Sequence, residues 1–128
     1  MGIILYEKLS FDVVRICFSV HNKLGRYCNE LQYADALEHM LQHNNILYER
    51  EKIIPISFVG EKHGRNKIDF LIEDTIILEI KAKRIITKED YFQTRRYLSA
   101  LNKKLALLIN FRSQYIHPKR ILNSLANP

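Results

Sequence analysis

A chain of 128 residues has room for one domain, residues 1–128, and none for a separate specificity domain; 20 Lys and Arg against 14 Asp and Glu give it a formal charge of +6. With 47% hydrophobic and 27% charged residues, disorder is excluded, and the basic excess leans toward a polyanionic partner. No apolar run reaches the roughly 18 residues that span a bilayer, and MGIILYEKLS lacks the basic-then-apolar order of a leader, so no membrane is expected and a cytoplasmic location is.

From Ser10 to Leu24 the residues Val13, Ile16, Cys17, Val20 and Leu24 recur at helical spacing, with Phe11, Val14 and Phe18 widening the stripe. Gly25 stops this helix. A second helix is predicted from about Asn29 to Gln42, with Tyr33, Ala34, Leu37 and Leu41 facing inward. Glu30 leads that stripe; it either points toward the core or complements the helix dipole from the first turn. Cys17 and Cys28 have neither CxxC spacing nor a nearby His pattern, and His39 and His43, one turn apart, have no evident third ligand, so neither zinc nor a disulfide framework is expected.

Ile46 to Val59 reads as extended, with Pro55 arguing for an edge or a bulge, and Gly60 to Lys67 as a polar, basic turn. Ile68 to Lys83, IDFLIEDTIILEIKAK, is predicted to form two strands around a turn at Glu73-Asp74-Thr75. Strand alternation puts Ile68, Phe70 and Ile72 on one face of the first strand and Ile76, Leu78 and Ile80 on one face of the second. If these apolar sets coincide, Asp69 falls on the side of Glu79 and Lys81. Aliphatics on both faces mark strands buried on both sides, where unpaired charge is costly. From spacing alone two readings stand: a Glu/Lys pair at a sheet end with Asp69 solvated, or a site shared with a cation.

Thr87, with Asp90 three residues on, is expected to cap a third helix reaching about Leu101, on which Gln93 and Tyr97 lie one turn apart. LALLINF at Leu105–Phe111 is a buried strand, and Pro118 is expected to open a short terminal helix containing Arg120 and Ile121. The order helix, helix, three strands, helix, strand, helix predicts a mixed α/β sandwich, with a crossover through the third helix to a parallel neighbour.

VHNKLG at Val20–Gly25, ELQY at Glu30–Tyr33, IDFLIEDTIILEIKA at Ile68–Ala82, QTRRYL at Gln93–Leu98 and LALLINF at Leu105–Phe111 occur in an order that resembles the GxxExxY family of the PD-(D/E)XK nuclease superfamily. The family's glycine three residues before its glutamate is Tyr27 here, while Gly25 is kept. The resemblance implies a restriction-endonuclease-like fold, α/β or α+β by some schemes, in which a mixed central sheet is flanked by helices on both sides. It places Asp69, Glu79 and Lys81 at the D…ExK positions and matches Glu30 and Gln93 to the family's helical Glu and Gln.

The implied activity is Mg²⁺-dependent phosphodiester hydrolysis, endonucleolytic or exonucleolytic, with DNA as partner and Mn²⁺ as a substitute metal. Asp69, Glu79, the Ile80 carbonyl and Glu30, directly or through water, would hold the metal. Lys81 would orient or deprotonate water, and Gln93 would hold the metal's surroundings or contact phosphate. Lys83, Arg84, Arg95, Arg96, Arg65 and Lys67 are the expected nucleic-acid contacts, and a homodimer or a partner subunit is left open. The alternative is a noncatalytic nucleic-acid-binding or protein-interaction module on the same fold.

Overall fold

The structure, a computed structural model, describes residues 4–126. Helix α1, Glu7–Leu24, buries Val13, Ile16, Cys17 and Val20, the stripe its spacing predicts. Phe11, Phe18 and Leu24 remain exposed, so the stripe is narrower and shorter than expected. Gly25 ends the helix at φ 77°, where its N–H donates to the His21 carbonyl; this left-handed conformation suits a residue without Cβ. Helix α2, Glu30–His43, starts at a reciprocal cap: the Asn29 side chain accepts from Gln32 N–H and the Gln32 side chain accepts from Asn29 N–H, each at 2.9 Å.

Five strands follow as β1 Tyr48–Ile53, β2 Lys67–Ile72, β3 Ile76–Lys81, β4 Leu105–Asn110 and β5 Lys119–Leu122, with helix α3, Lys88–Leu101, between β3 and β4. They form one sheet in the order β1-β2-β3-β4-β5. Every neighbour pair is antiparallel except β3 and β4, which the α3 crossover makes parallel, as the sequence predicts. Glu73 and Asp74 turn β2 into β3 at φ 51° and 56°, with Thr75 N–H donating to the Ile72 carbonyl. Successive positive φ angles give such a turn the twist that antiparallel strands need.

One face of the sheet, carrying Phe70, Ile72, Leu78, Ile80, Leu107 and Ile109, packs on α1 and α2. The other, carrying Leu71, Ile77, Ala106 and Leu108, packs on Tyr97 and Leu98 of α3. Burying each such aliphatic contributes roughly 1.5–3 kcal/mol, and strand β4 is buried along its whole length. Edge strand β1 is tied to α2 by Arg50, whose guanidinium lies 2.7 Å from Asp35 and 3.0 Å from Glu38. Among the described residues no helix is long and apolar enough to cross a membrane.

Two expectations are corrected here. The segment after Pro118 is not a helix: Lys119–Leu122 adds an antiparallel edge strand to β4, with Ile121 its one buried residue. And Ile68 does not share a face with Phe70 and Ile72; it packs with Leu71 on the α3 side. Strand alternation therefore breaks between Ile68 and Phe70, at Asp69.

Candidate active site

The β2–β3 ladder pairs Ile72 with Ile76, Leu71 with Ile77 and Phe70 with Leu78, and then stops, although Asp69 and Glu79 are next in register. Beyond the stop, side chains replace the missing rungs. Glu79 Oε1 accepts from Asp69 N–H at 3.0 Å, and Asp69 Oδ2 accepts from Ile80 N–H at 2.8 Å. The two carboxylates thus lie crosswise in the seam where the strands part, each satisfying a main-chain donor beside the other. No buried side-chain oxygen is left without a partner among the described residues, so Asp69 Oδ1 and Glu79 Oε2, which accept no hydrogen bond there, keep some solvent access although Glu79 is buried.

This proximity has an electrostatic cost. Burial raises the Glu79 carboxyl from its ordinary 4.5 to about 8, and the Asp69 charge adds to the rise, while the Asp69 N–H and the Lys81 ammonium oppose it. Burial also raises Asp69; the Ile80 N–H and Lys81 lower it, and the charges of Glu30 and Glu51 push it further up. Desolvation and like charge therefore exceed the compensation available from one lysine.

Lys81 extends the group toward α3. Its ammonium stands 4.0 Å from Asp90 Oδ1, while Asp90 Oδ2 accepts from Lys83 Nζ at 2.7 Å and from the Thr87 N–H at 2.8 Å. Burial alone would raise the Asp90 carboxyl, but the hydrogen bonds from Lys83 and Thr87 prevail and hold it below its ordinary value. The expected cap at Thr87 is present, with Asp90 its reciprocal partner. Farther along α3, burial first and then the Glu79 charge raise the Tyr97 hydroxyl, with Gln93 among the groups that oppose the rise. Tyr97 thus borders the acidic pair rather than bulk solvent, with Gln93 one turn before it on α3.

Glu30 is exposed at the first position of α2, yet its charge is felt at both Asp69 and Glu79. Its position depends on Tyr33, one turn on. The Tyr33 hydroxyl donates to the Gly25 carbonyl and accepts from the Cys28 N–H at 3.3 Å, and its ring stacks on Phe111 with centroids 4.5 Å apart. Tyr33 therefore clamps the turn that presents Glu30. Tyr27, where the family pattern has glycine, has the guanidinium groups of Arg26 and Arg112 at 5.2 and 5.6 Å from its ring centroid.

The expected basic contacts divide. Lys83 is engaged by Asp90 and Lys67 lies 3.3 Å from Glu51, so both have acidic partners. Arg65, Arg84, Arg95 and Arg96 are exposed and form no ion pair among the described residues; Arg95 lies over the Tyr91 ring at 6.0 Å. Ile80 buries its side chain against α1 and α2 and offers its backbone to the seam.

No three His, Cys, Asp or Glu side chains among the described residues are grouped to hold a metal by themselves. The donors that do converge are hard carboxylate oxygens with a free oxygen each. Such a pair suits Mg²⁺ or Mn²⁺, which retain several waters and need only one or two protein carboxylates.

A family model described as the PD-(D/E)XK nuclease superfamily matches residues 7–121. The chain belongs to that superfamily. Among solved structures it is similar to the one titled "Crystal structure of SSO0001", with a TM-score of 0.53 and 20% sequence identity, covering 94% of this chain and 58% of that one. At that identity the likeness concerns the fold, and the present chain spans less than two thirds of the other. No curated protein matched the chain. As a PD-(D/E)XK nuclease superfamily member, the chain has the mixed five-stranded sheet and flanking helices of a restriction-endonuclease-like α/β fold.

Sequence reasoning treated Asp90 as a cap and nothing more. Its ion pair with Lys81 could have been sought from the short loop, which returns the chain from β3 to α3 within seven residues. Glu51 was not singled out. It sits across from Asp69 in the β1–β2 register, itself unpaired there, with φ 53°, and no sequence pattern announces that conformation.

Proposed function

We propose that this PD-(D/E)XK superfamily member is a divalent-metal-dependent nuclease of the GxxExxY type that hydrolyses phosphodiester bonds in DNA. The observation that carries the reading is the crossed pair in the β2–β3 seam, which leaves one oxygen each of Asp69 and Glu79 without a hydrogen bond, within reach of the Lys81 charge. A structural Glu/Lys pair would have no need to interrupt a ladder and set two side-chain hydrogen bonds in its place that bring two buried carboxyls side by side.

In this reading Asp69 and Glu79 hold the metal, with the Ile80 carbonyl beside them and Glu30 reaching the same shell through water. The bound metal would polarise a phosphoryl oxygen and supply an acidified water. Lys81, positioned by Asp90, binds the phosphate and offsets the negative charge that grows on it as the P–O bond breaks. Gln93, one turn before Tyr97 on α3, orients water or phosphate at the helix side of the site. Exposed Arg95, Arg96, Arg84 and Arg65 attract the polyanion.

The deciding experiment incubates single- and double-stranded DNA and RNA with the protein in Mg²⁺, Mn²⁺ or EDTA, beside Lys81→Ala and Asp69→Asn. Metal-dependent cleavage by the wild type, lost in both variants, is the expected result. Binding without cleavage in either metal would replace the nuclease with a noncatalytic nucleic-acid-binding module.

A further inference from the structure

We infer that a second site, on the other flank of the α3 N-terminus, seats one unstacked nucleotide of a single strand running past the acidic pair. It is a cavity of about 620 Å³ between the β3–α3 loop, the first turn of α3 and strands β4 and β5. That size lies within the range of small-ligand sites, roughly 300–1,000 Å³. Arg84, Lys88, His117 and Lys119 line it and no acidic residue does. Arg84, Lys88 and Lys119 also form no ion pair among the described residues, unlike Lys83 and Lys67, whose charges are taken. Glu89, the nearest acid in sequence on α3, is absent from the lining.

The floor and wall are apolar and aromatic. Leu108 and Ile86 contribute aliphatic surface, and Tyr91 contributes a ring with Arg95 over one side at 6.0 Å. A cationic rim above a tyrosine matches the chemistry of a nucleotide, whose phosphate seeks the cations and whose base seeks the ring. A duplex cannot present a base this way without unpairing it. Two connections join the cavity to the acidic pair. Leu108 is the register partner of Glu79, so the floor lies one strand away, about 4.8 Å, on the same α3-covered face. Thr87, also in the lining, is bound to Asp90, which stands 4.0 Å from Lys81.

The inference rests on the nuclease reading for the choice of polymer, and the test separates the two. Affinity for a labelled single strand of about a dozen nucleotides, and for the matching duplex, is measured in EDTA by fluorescence anisotropy. Arg84→Glu/Lys119→Glu and Tyr91→Ala are compared with Arg15→Glu on α1, and melting curves establish that each variant is folded. Should the double reversal fail to fold, Arg84→Gln/Lys119→Gln replaces it. Single-strand affinity is expected to fall about tenfold or more in the double variant and about fivefold or more in Tyr91→Ala, while Tyr91→Ala leaves duplex affinity within about twofold. Unchanged single-strand affinity in folded variants, or equal losses for both polymers in Tyr91→Ala, would overturn the site. Neither outcome bears on cleavage, which the Lys81→Ala comparison decides.

Discussion

The Asp90 carboxylate joins two lysines that strand β3 and its following loop send to the same side, touching Lys83 at 2.7 Å and standing 4.0 Å from Lys81. It also closes the cap of α3 through Thr87. A helix cap and the position of the lysine are therefore one device. Asp90→Asn keeps the shape, removes the charge and is expected to lower stability by about 1.5–3 kcal/mol, the range for hydrogen bonds to a charged group. Cleavage should fall further than stability does, because Lys81 loses the acid that positions it. Urea unfolding beside a nuclease assay at a temperature where both proteins are folded checks this. Equal activity in the two proteins would restrict Asp90 to capping.

Metal should stabilise the fold, since without it burial and mutual repulsion oppose the doubly ionised pair. By linkage, a ligand that binds only the folded state adds about 2.7 kcal/mol at a hundredfold excess over its Kd. Thermal unfolding with and without Mn²⁺ is expected to show an upward shift in wild type, a reduced shift in Asp69→Asn, and a retained shift in Lys81→Ala. Apo Asp69→Asn is expected to melt at or above apo wild type, one buried like charge being gone. A full shift in Asp69→Asn would remove that residue from the metal site.

The raised carboxyls give a pH dependence of definite sign. Glu79 holds its proton to about 8 in the folded protein against an ordinary 4.5, so between these values the folded state binds more protons than the unfolded chain. Metal-free stability should therefore fall as pH rises through that interval, by up to about 1.4 kcal/mol per unit for each such group, and level off above it. Asp90 acts in the opposite sense: its lowered pKa supplies stability that is present above the ordinary value of 3.8 and is lost in stronger acid. Urea unfolding in EDTA across this range, for wild type and Glu79→Gln, is the measurement. The variant should lose most of the slope between 4.5 and 8; the same slope in both would assign it elsewhere.

Tyr33 offers a test of how Glu30 is placed. Tyr33→Phe keeps the stack on Phe111 and removes both hydroxyl contacts, with Gly25 and Cys28. A cost of about 1–3 kcal/mol is expected, because two part-buried hydrogen bonds to the main chain are lost. If Glu30 serves the site through water, the same change should also weaken Mn²⁺ binding several-fold in a calorimetric titration. Unaltered metal affinity with lowered stability would make the tyrosine structural only.

The strands, the crossover and the reciprocal cap at Thr87 were legible because each rests on local chemistry: alternation, a buried run of aliphatics, a hydroxyl three residues before an acid. Strand β5 was not. Its four residues bury only Ile121, too little for a period to emerge, and a proline at the start suits a helix as well as an edge. The face of Ile68 was misjudged because alternation assumes an unbroken ladder, and the ladder breaks at Asp69, where long-range partners decide the geometry. Placing Asp69 on the side of Glu79 followed from parity. The crossed hydrogen bonds did not, since they require knowing that the strands separate.

Because Asp69 N–H donates to Glu79 and Ile80 N–H donates to Asp69, two main-chain amides end on ionisable oxygens where an ordinary sheet would have them end on carbonyls. A main-chain carbonyl does not titrate; a carboxylate does. The nitrogen and proton resonances of these two amides therefore act as built-in electrodes, each wired to a different acid of the pair. Their shifts would separate the protonation of Glu79 from that of Asp69, and would register a cation entering the seam, with no probe attached and no residue changed.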